Sequence, residues 1–69
     1  MYIENLEVLN EGERSEKIDL LNLNSIIMIK YITGRGALSR YKIYLPGTSY
    51  SIFDSEYKRI KKVFKDKRK

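Results

Sequence analysis

The spacing of apolar residues changes at residue 54 from every second position to every third or fourth, and this change constrains the fold most. Apolar and polar residues alternate in four segments before it, which is the pattern of half-buried β-strands. From Tyr57 onward, Ile60, Val63 and Phe64 recur at helical spacing and form one apolar stripe. The sequence therefore predicts an α+β fold, in which a small antiparallel sheet of about five strands is followed by one C-terminal amphipathic helix packed on it.

Residues that favour turns separate the predicted strands. These strands cover Tyr2–Leu9, Lys17–Leu20, Ser25–Thr33, Leu38–Leu45 and Tyr50–Phe53. The β-branched isoleucines of Ser25–Thr33 favour a central strand over a short helix. Gly12 is expected to provide a positive φ in the first turn, and Pro46-Gly47 fit the central positions of a type II turn. Asp54 is predicted to cap the helix.

The length of 69 residues allows one domain, with a β-meander over 1–53, a helix over 54–66 and a frayed basic tail over 67–69. A chain this short buries only about 60 % of its unfolded surface, so we expect a homodimer. No apolar run reaches the ~18 residues of a membrane span. The first residues also lack the features of a secretory signal. We therefore expect a cytoplasmic protein that does not bind membranes.

The chain contains no histidine and no cysteine, which excludes zinc held by these residues and nucleophiles activated by histidine. We expect a protein that is not an enzyme and has no cofactor. Five glutamates between positions 4 and 16 flank a predicted hairpin and do not converge, so they are interpreted as a solvated acidic surface. Gly34-Arg35-Gly36 lacks the Gly-Lys-Ser/Thr of a phosphate-binding loop and is interpreted as a plain turn.

Charge is segregated along the chain. The net charge is +5, but residues 1–20 carry six acids and two bases, whereas residues 21–69 carry twelve bases and three acids. Residues 57–69 hold eight bases and a single acid, Asp66. Like charges at this density repel one another along a helix, so the pattern favours a polyanionic partner.

Basic residues on the helix, the sheet and one loop are the candidate contacts to that partner. The predicted nucleic-acid-binding residues are Arg35, Arg40, Lys42, Lys58, Lys61, Lys62 and Lys65. Two alternatives remain at this point. The lysines on the outer helix face can serve solubility alone. Tyr44, which alternates with Arg40 and Lys42, either stacks on bases or lies under the helix or a dimer partner.

Three stretches, Lys17–Ile29, Tyr41–Ile52 and Ser55–Phe64, together resemble part of a LytTR-type DNA-binding domain. Members of that family are mostly β and read DNA through loops. The resemblance covers about two thirds of the chain, which corresponds to half of a family domain. The family's DNA-contacting motif has no counterpart here, so no base-reading residue is carried over. The order of strands and then a helix is also similar to dimeric single-stranded-DNA-binding coactivators.

Two functions from different classes follow from these patterns. The first is a small nucleic-acid-binding protein with a regulatory role, which uses the basic helix face and the basic sheet and loop residues. The alternative is a small protein-interaction or inhibitor module, of a size that mobile elements or phages encode, which docks on an acidic surface of a larger protein. The sequence leaves open whether the partner is DNA, RNA or protein.

Overall fold

The computed structural model describes residues 1–67, with side chains through Asp66. The elements in chain order are β1 (Tyr2–Leu9), β2 (Ser15–Asn22), a 3-10 turn (Leu23–Ser25), β3 (Met28–Thr33), a second 3-10 turn (Gly36–Leu38), β4 (Arg40–Leu45), β5 (Thr48–Phe53) and α1 (Asp54–Lys67). The predicted α+β fold, with five antiparallel strands and one C-terminal helix, is confirmed. Arg68 and Lys69 of the predicted frayed tail lie outside the described residues.

The sheet consists of a two-stranded and a three-stranded part, which are connected by a single residue pair. Its strand order is β2-β1-β5-β4-β3, and every pairing is antiparallel. The hairpin β1–β2 and the meander β3–β4–β5 are each paired along their length, but β1 meets β5 only where Leu9 faces Ser51. The predicted meander therefore describes the last three strands, whereas β2 and β3, neighbours in the chain, lie at opposite edges of the sheet.

The core lies between one face of the sheet and the helix. It is built from Ile3, Leu6, Val8, Leu21, Leu23, Ile43, Ile52 and Ile60. On the helix, Ile60 is fully buried, and Tyr57, Val63 and Phe64 pack against the same cluster. These four residues are the apolar stripe predicted from helical spacing, and the alternation predicted in β1 buries Leu6 and Val8.

The prediction of a central strand over Ser25–Thr33 is wrong in position and in length. The strand begins at Met28 and forms an edge of the sheet, with most of its side chains exposed. Ser25 belongs to the 3-10 turn instead, and Ile26 and Ile27 lie between that turn and the strand. Asn22 caps the turn by accepting a hydrogen bond from the Asn24 N–H at 3.0 Å. β-branched residues favour extended backbone, but they do not determine how many neighbours a strand acquires.

The predicted turns are found, with one correction in their backbone geometry. Gly47 has a φ of 79°, as the third position of a type II turn requires. In the β1–β2 turn, however, the positive φ belongs to Glu13, at 59°, and not to Gly12. The Asn10 carboxamide oxygen accepts hydrogen bonds from the N–H groups of Gly12 and Arg14, at 2.9 and 3.0 Å, and so orders this turn locally.

Two helix side chains satisfy the backbone of β1 where β5 does not pair with it. Arg59 donates to the carbonyl oxygens of Glu4 and Asn5 at 2.6 and 3.2 Å, and the Glu56 carboxylate accepts from the Glu7 N–H at 2.6 Å. Asn5 has a φ of 52°, and this kink brings both Ile3 and Leu6, three positions apart, into the core. The Arg59–Glu56 ion pair thus docks the helix on the irregular part of the strand.

Candidate nucleic-acid interface

Four lysines form one continuous surface on the outer side of α1, which we call the lysine stripe: Lys58, Lys61, Lys62 and Lys65. At 3.6 residues per turn they fall within about 100° of arc, on the side of the helix opposite the buried Ile60. All four are exposed. The helix is formed and its apolar side is buried, so the predicted cationic surface is present on the folded protein.

The lysine stripe is only weakly neutralised by the protein's own acids. Lys58 Nζ lies 3.1 Å from Asp54 Oδ2, but its side chain is 75 % exposed, and exposed pairs of this type contribute little. No carboxylate within residues 1–66 forms a salt bridge with Lys61, Lys62 or Lys65. Lys61 Nζ instead lies 5.4 Å from the centre of the Tyr57 ring, at cation–π distance.

Arg59 follows Lys58 in the sequence, but its side chain points away from the lysine stripe. Its guanidinium lies 2.9 Å from Glu56 Oε2 and also bonds to the β1 backbone. The bases counted over residues 57–69 therefore do not all lie on one surface. Arg59 has a structural role in the docking of the helix, and it contributes less to any contact with a polyanion.

Arg40 and Lys42 lie on the sheet face turned away from α1, which we call the open face. They alternate along β4 with Ile43, which is buried against the helix side. The predicted sheet and helix contacts are therefore on opposite sides of the molecule and do not form one surface. A ligand bound along the lysine stripe therefore does not contact Arg40 and Lys42 as well.

The acidic β1–β2 turn offsets the charge of the open face. Arg40 Nη1 lies 2.9 Å from Glu13 Oε1, and the guanidinium lies 5.3 Å from the centre of the Phe53 ring. Glu11 and Glu13 line a shallow cavity of about 330 Å³ together with Lys42. This surface carries both signs of charge, so it is less suited to a polyanion than the lysine stripe is.

Sequence reasoning missed one basic residue of the open face. Lys30 on β3 lies directly across from Lys42 on β4, and like charges in this position repel each other. Tyr44 also faces the open side, with Lys42 Nζ 5.5 Å from its ring centre, so it does not lie under the helix. Lys30 was hidden within an apolar run, and only the strand register shows what it faces.

Arg35, the predicted loop contact, lies between β3 and the second 3-10 turn. It is exposed, and the turn that follows it, Gly36–Leu38, packs against α1. The loop is closed by Gly34, which has a φ of 105° and whose α-carbon approaches the backbone of Leu38 so closely that a Cβ would lie 2.3 Å from its carbonyl oxygen. The loop is thus held on the helix side of the sheet, as the lysine stripe is.

A row of three aromatic rings runs from the β3 edge to the helix, and we call it the tyrosine row: Tyr31, Tyr41 and Tyr57. Tyr41 and Tyr57 stack with ring centres 3.7 Å apart and planes at 11°. Tyr31 meets Tyr41 edge-on at 5.5 Å and is itself 54 % exposed. Desolvation by the packed rings raises the pKa of Tyr41 above its ordinary value, and the Asp54 carboxylate adds to this.

Within residues 1–67, no three carboxylates come together in a way that would hold a metal ion. The one helix of this part of the chain is too short and too polar to cross a membrane.

The protein was also compared with families, curated proteins and solved structures. No family model, curated protein or solved structure matches the chain. The resemblance to the LytTR-type domain therefore stays a prediction, and the function has to be inferred from the surfaces described above.

Proposed function

We propose that this protein binds nucleic acid through the lysine stripe of α1. The observation that carries the proposal is that four exposed lysines share one narrow arc, and three of them form no salt bridge with residues 1–66. Lysines three and four positions apart on a helix repel one another. Phosphates of a polyanion relieve this repulsion and release condensed counterions, which is the main source of sequence-independent binding.

The expected contacts are ionic and independent of base sequence. If each of the four lysines neutralises one phosphate, the slope of log affinity against log salt is roughly −4 on duplex DNA and roughly −3 on a single strand. Arg35, held on the same side of the sheet, extends the contact surface beyond the helix. Arg40 contributes less because Glu13 already balances its charge.

Two double variants of equal charge test this proposal. Lys62→Gln/Lys65→Gln removes two charges from the lysine stripe, whereas Arg14→Gln/Lys17→Gln removes two exposed charges from the β1–β2 hairpin. Fluorescence anisotropy with labelled oligonucleotides is measured over a salt series. We expect the first variant to reduce the salt slope by about 2 and the second to leave it nearly unchanged. Equal losses in both variants, or no binding by the native protein at low salt, would refute the proposal.

Self-association, a regulatory role and a cytosolic location belong to the same proposal. The edge strand β3 supports a homodimer, because Ile27, Met28 and Ile32 leave 70, 48 and 47 % of their surface exposed beside an unpaired strand edge. Sedimentation equilibrium checks the dimer, with Ile32→Lys expected to shift the protein toward monomer. A monomer at all concentrations would contradict this part.

The second candidate function is docking on a larger protein, and the same exposed edge favours it. An extended segment of a partner can add to β3 through backbone hydrogen bonds, while Lys30 attracts acidic side chains. Affinity capture from nuclease-treated lysate separates the two functions, since a partner that binds through nucleic acid is lost. A defined protein that survives nuclease, and that Ile32→Lys releases, would favour this candidate over nucleic-acid binding.

A further inference from the structure

The tyrosine row lies directly beside the lysine stripe. Tyr57 precedes Lys58 and Lys61 on the helix by one and four positions, and Lys61 Nζ lies over its ring. From Tyr57 the rings continue through Tyr41 to Tyr31 at the sheet edge. The exposed ring of Tyr31 and the cationic surface thus lie at the two ends of one series of contacts, in which Tyr41 and Tyr57 stand between Tyr31 and Lys61. The two ends come from elements more than twenty positions apart in the chain.

Tyr31 is held in place but is not buried. Its ring is 54 % exposed, its edge contacts Tyr41, and its hydroxyl donates a hydrogen bond to the Gly34 carbonyl oxygen. The tight backbone at Gly34 in turn fixes the position of that acceptor. A ring that is already oriented loses little conformational entropy when a planar ligand stacks on it.

This combination selects among polyanions. In a duplex the base faces are stacked on one another and are not available to a side chain. In a single strand they are free, and an aromatic residue with flanking cations binds them by stacking while the cations hold the phosphates. We propose that the ligand class is single-stranded nucleic acid, with Tyr31 stacking on a base and the lysine stripe contacting phosphates farther along the same strand. This proposal rests on the proposed function and assigns its ligand.

Substitutions at Tyr31 test the assignment, with Tyr2 as a matched control. Tyr2 is also exposed, at 60 %, but it lies on β1, which is separated from β3 by β5 and β4 in the sheet. The probes are labelled oligodeoxythymidine of about 12 nucleotides and a duplex of equal length, which suit the usual site sizes. We expect Tyr31→Ala to weaken binding of the single strand by about 5- to 150-fold and to leave the duplex within about twofold. Tyr2→Ala should change neither.

A spectroscopic readout separates stacking from a structural effect. The chain contains no tryptophan, so its fluorescence comes from tyrosine. Tyr31→Phe keeps a ring for stacking but removes one emitter, so it should retain single-strand affinity within about threefold and lose most of the quenching that oligodeoxythymidine causes. If Tyr31→Ala does not fold by circular dichroism, Tyr31→Leu, which keeps the apolar bulk without a π face, takes its place.

The outcomes distinguish the two proposals. If Tyr31→Ala binds the single strand as the native protein does while Lys62→Gln/Lys65→Gln loses binding, the assignment of the ligand class is wrong and the proposed function stands. If the native protein binds neither probe at low salt, the proposed function itself fails. Equal affinity of the native protein for the single strand and the duplex would also overturn the assignment.

Discussion

Replacing Arg59 with methionine removes the side chain that joins α1 to the part of β1 that β5 does not pair with. The guanidinium donates to two backbone carbonyl oxygens, at 2.6 and 3.2 Å, and pairs with Glu56, whose side chain is only 13 % exposed. Charged hydrogen bonds contribute roughly 1.5–3 kcal/mol when buried. Because Arg59 is 43 % exposed, we take about 1 kcal/mol for each carbonyl bond and about 1 kcal/mol for leaving Glu56 unpaired. The expected loss in unfolding free energy is about 3 kcal/mol.

Urea denaturation followed by circular dichroism measures this loss, and Lys58→Met is the matched control. Lys58 is the preceding residue and also forms an ion pair, but its side chain is 75 % exposed, and within residues 1–66 it forms no hydrogen bond with the sheet backbone. We expect Lys58→Met to cost less than about 1 kcal/mol. A chain of this length has a total stability of roughly 3–10 kcal/mol, so the loss at Arg59 is a large part of it. If the two variants unfold at the same urea concentration, Arg59 does not dock the helix as described.

Four further variants probe the loop, the core and the tyrosine row. Gly34→Ala should lower the unfolding free energy by about 2 kcal/mol or more, and Gly36→Ala by only about 1 kcal/mol. Both glycines have a positive φ, but only at Gly34 would the new Cβ clash with backbone atoms. Equal losses in urea denaturation would contradict this. Ile60→Ala should cost about 2–5 kcal/mol in the same assay, and a loss below about 1 would show that the helix is not packed on the core. The raised pKa of Tyr41 means that the folded protein keeps a proton that the unfolded chain loses above about pH 10, so stability should fall as pH rises through that range. Tyr41→Phe should show a smaller fall between about pH 9 and pH 11, and an identical fall would argue against a shifted Tyr41.

Local patterns predicted the elements of the fold with small errors at their ends. Alternation in β4 and helical spacing in α1 correctly assigned which residues face the core, because side-chain direction follows directly from backbone period. The strand over Ser25–Thr33 was misjudged because the Asn22 cap shortens it and its neighbours are set by distant residues. The positive φ at Glu13 was also missed, because the Asn10 side chain, and not a glycine, organises that turn.

The candidate site was predicted in part, since the lysines of α1 were named and lie together. Arg40 and Lys42 were grouped with them, but they occupy the opposite face, and Glu13 balances Arg40. Tyr31 was not singled out, because within its apolar run nothing marks it as exposed or as part of a row of rings that ends at the helix. Its place beside Tyr41 depends on the register between β3 and β4.

The amino-acid order by itself determined the fold class, the inward-facing residues of β4 and α1 and the cationic side of the helix, since each of these follows from spacing within a few residues. Only the tertiary structure decided that β3 is an edge strand and that the basic residues divide between two faces. It also decided that Arg59 donates hydrogen bonds to the backbone of β1. These features arise from strand pairing and hydrogen bonds between residues up to 55 positions apart. Such contacts form because backbone groups that the folded core shields from water need hydrogen-bond partners. The spacing of residues along the chain does not indicate which distant residue provides the partner.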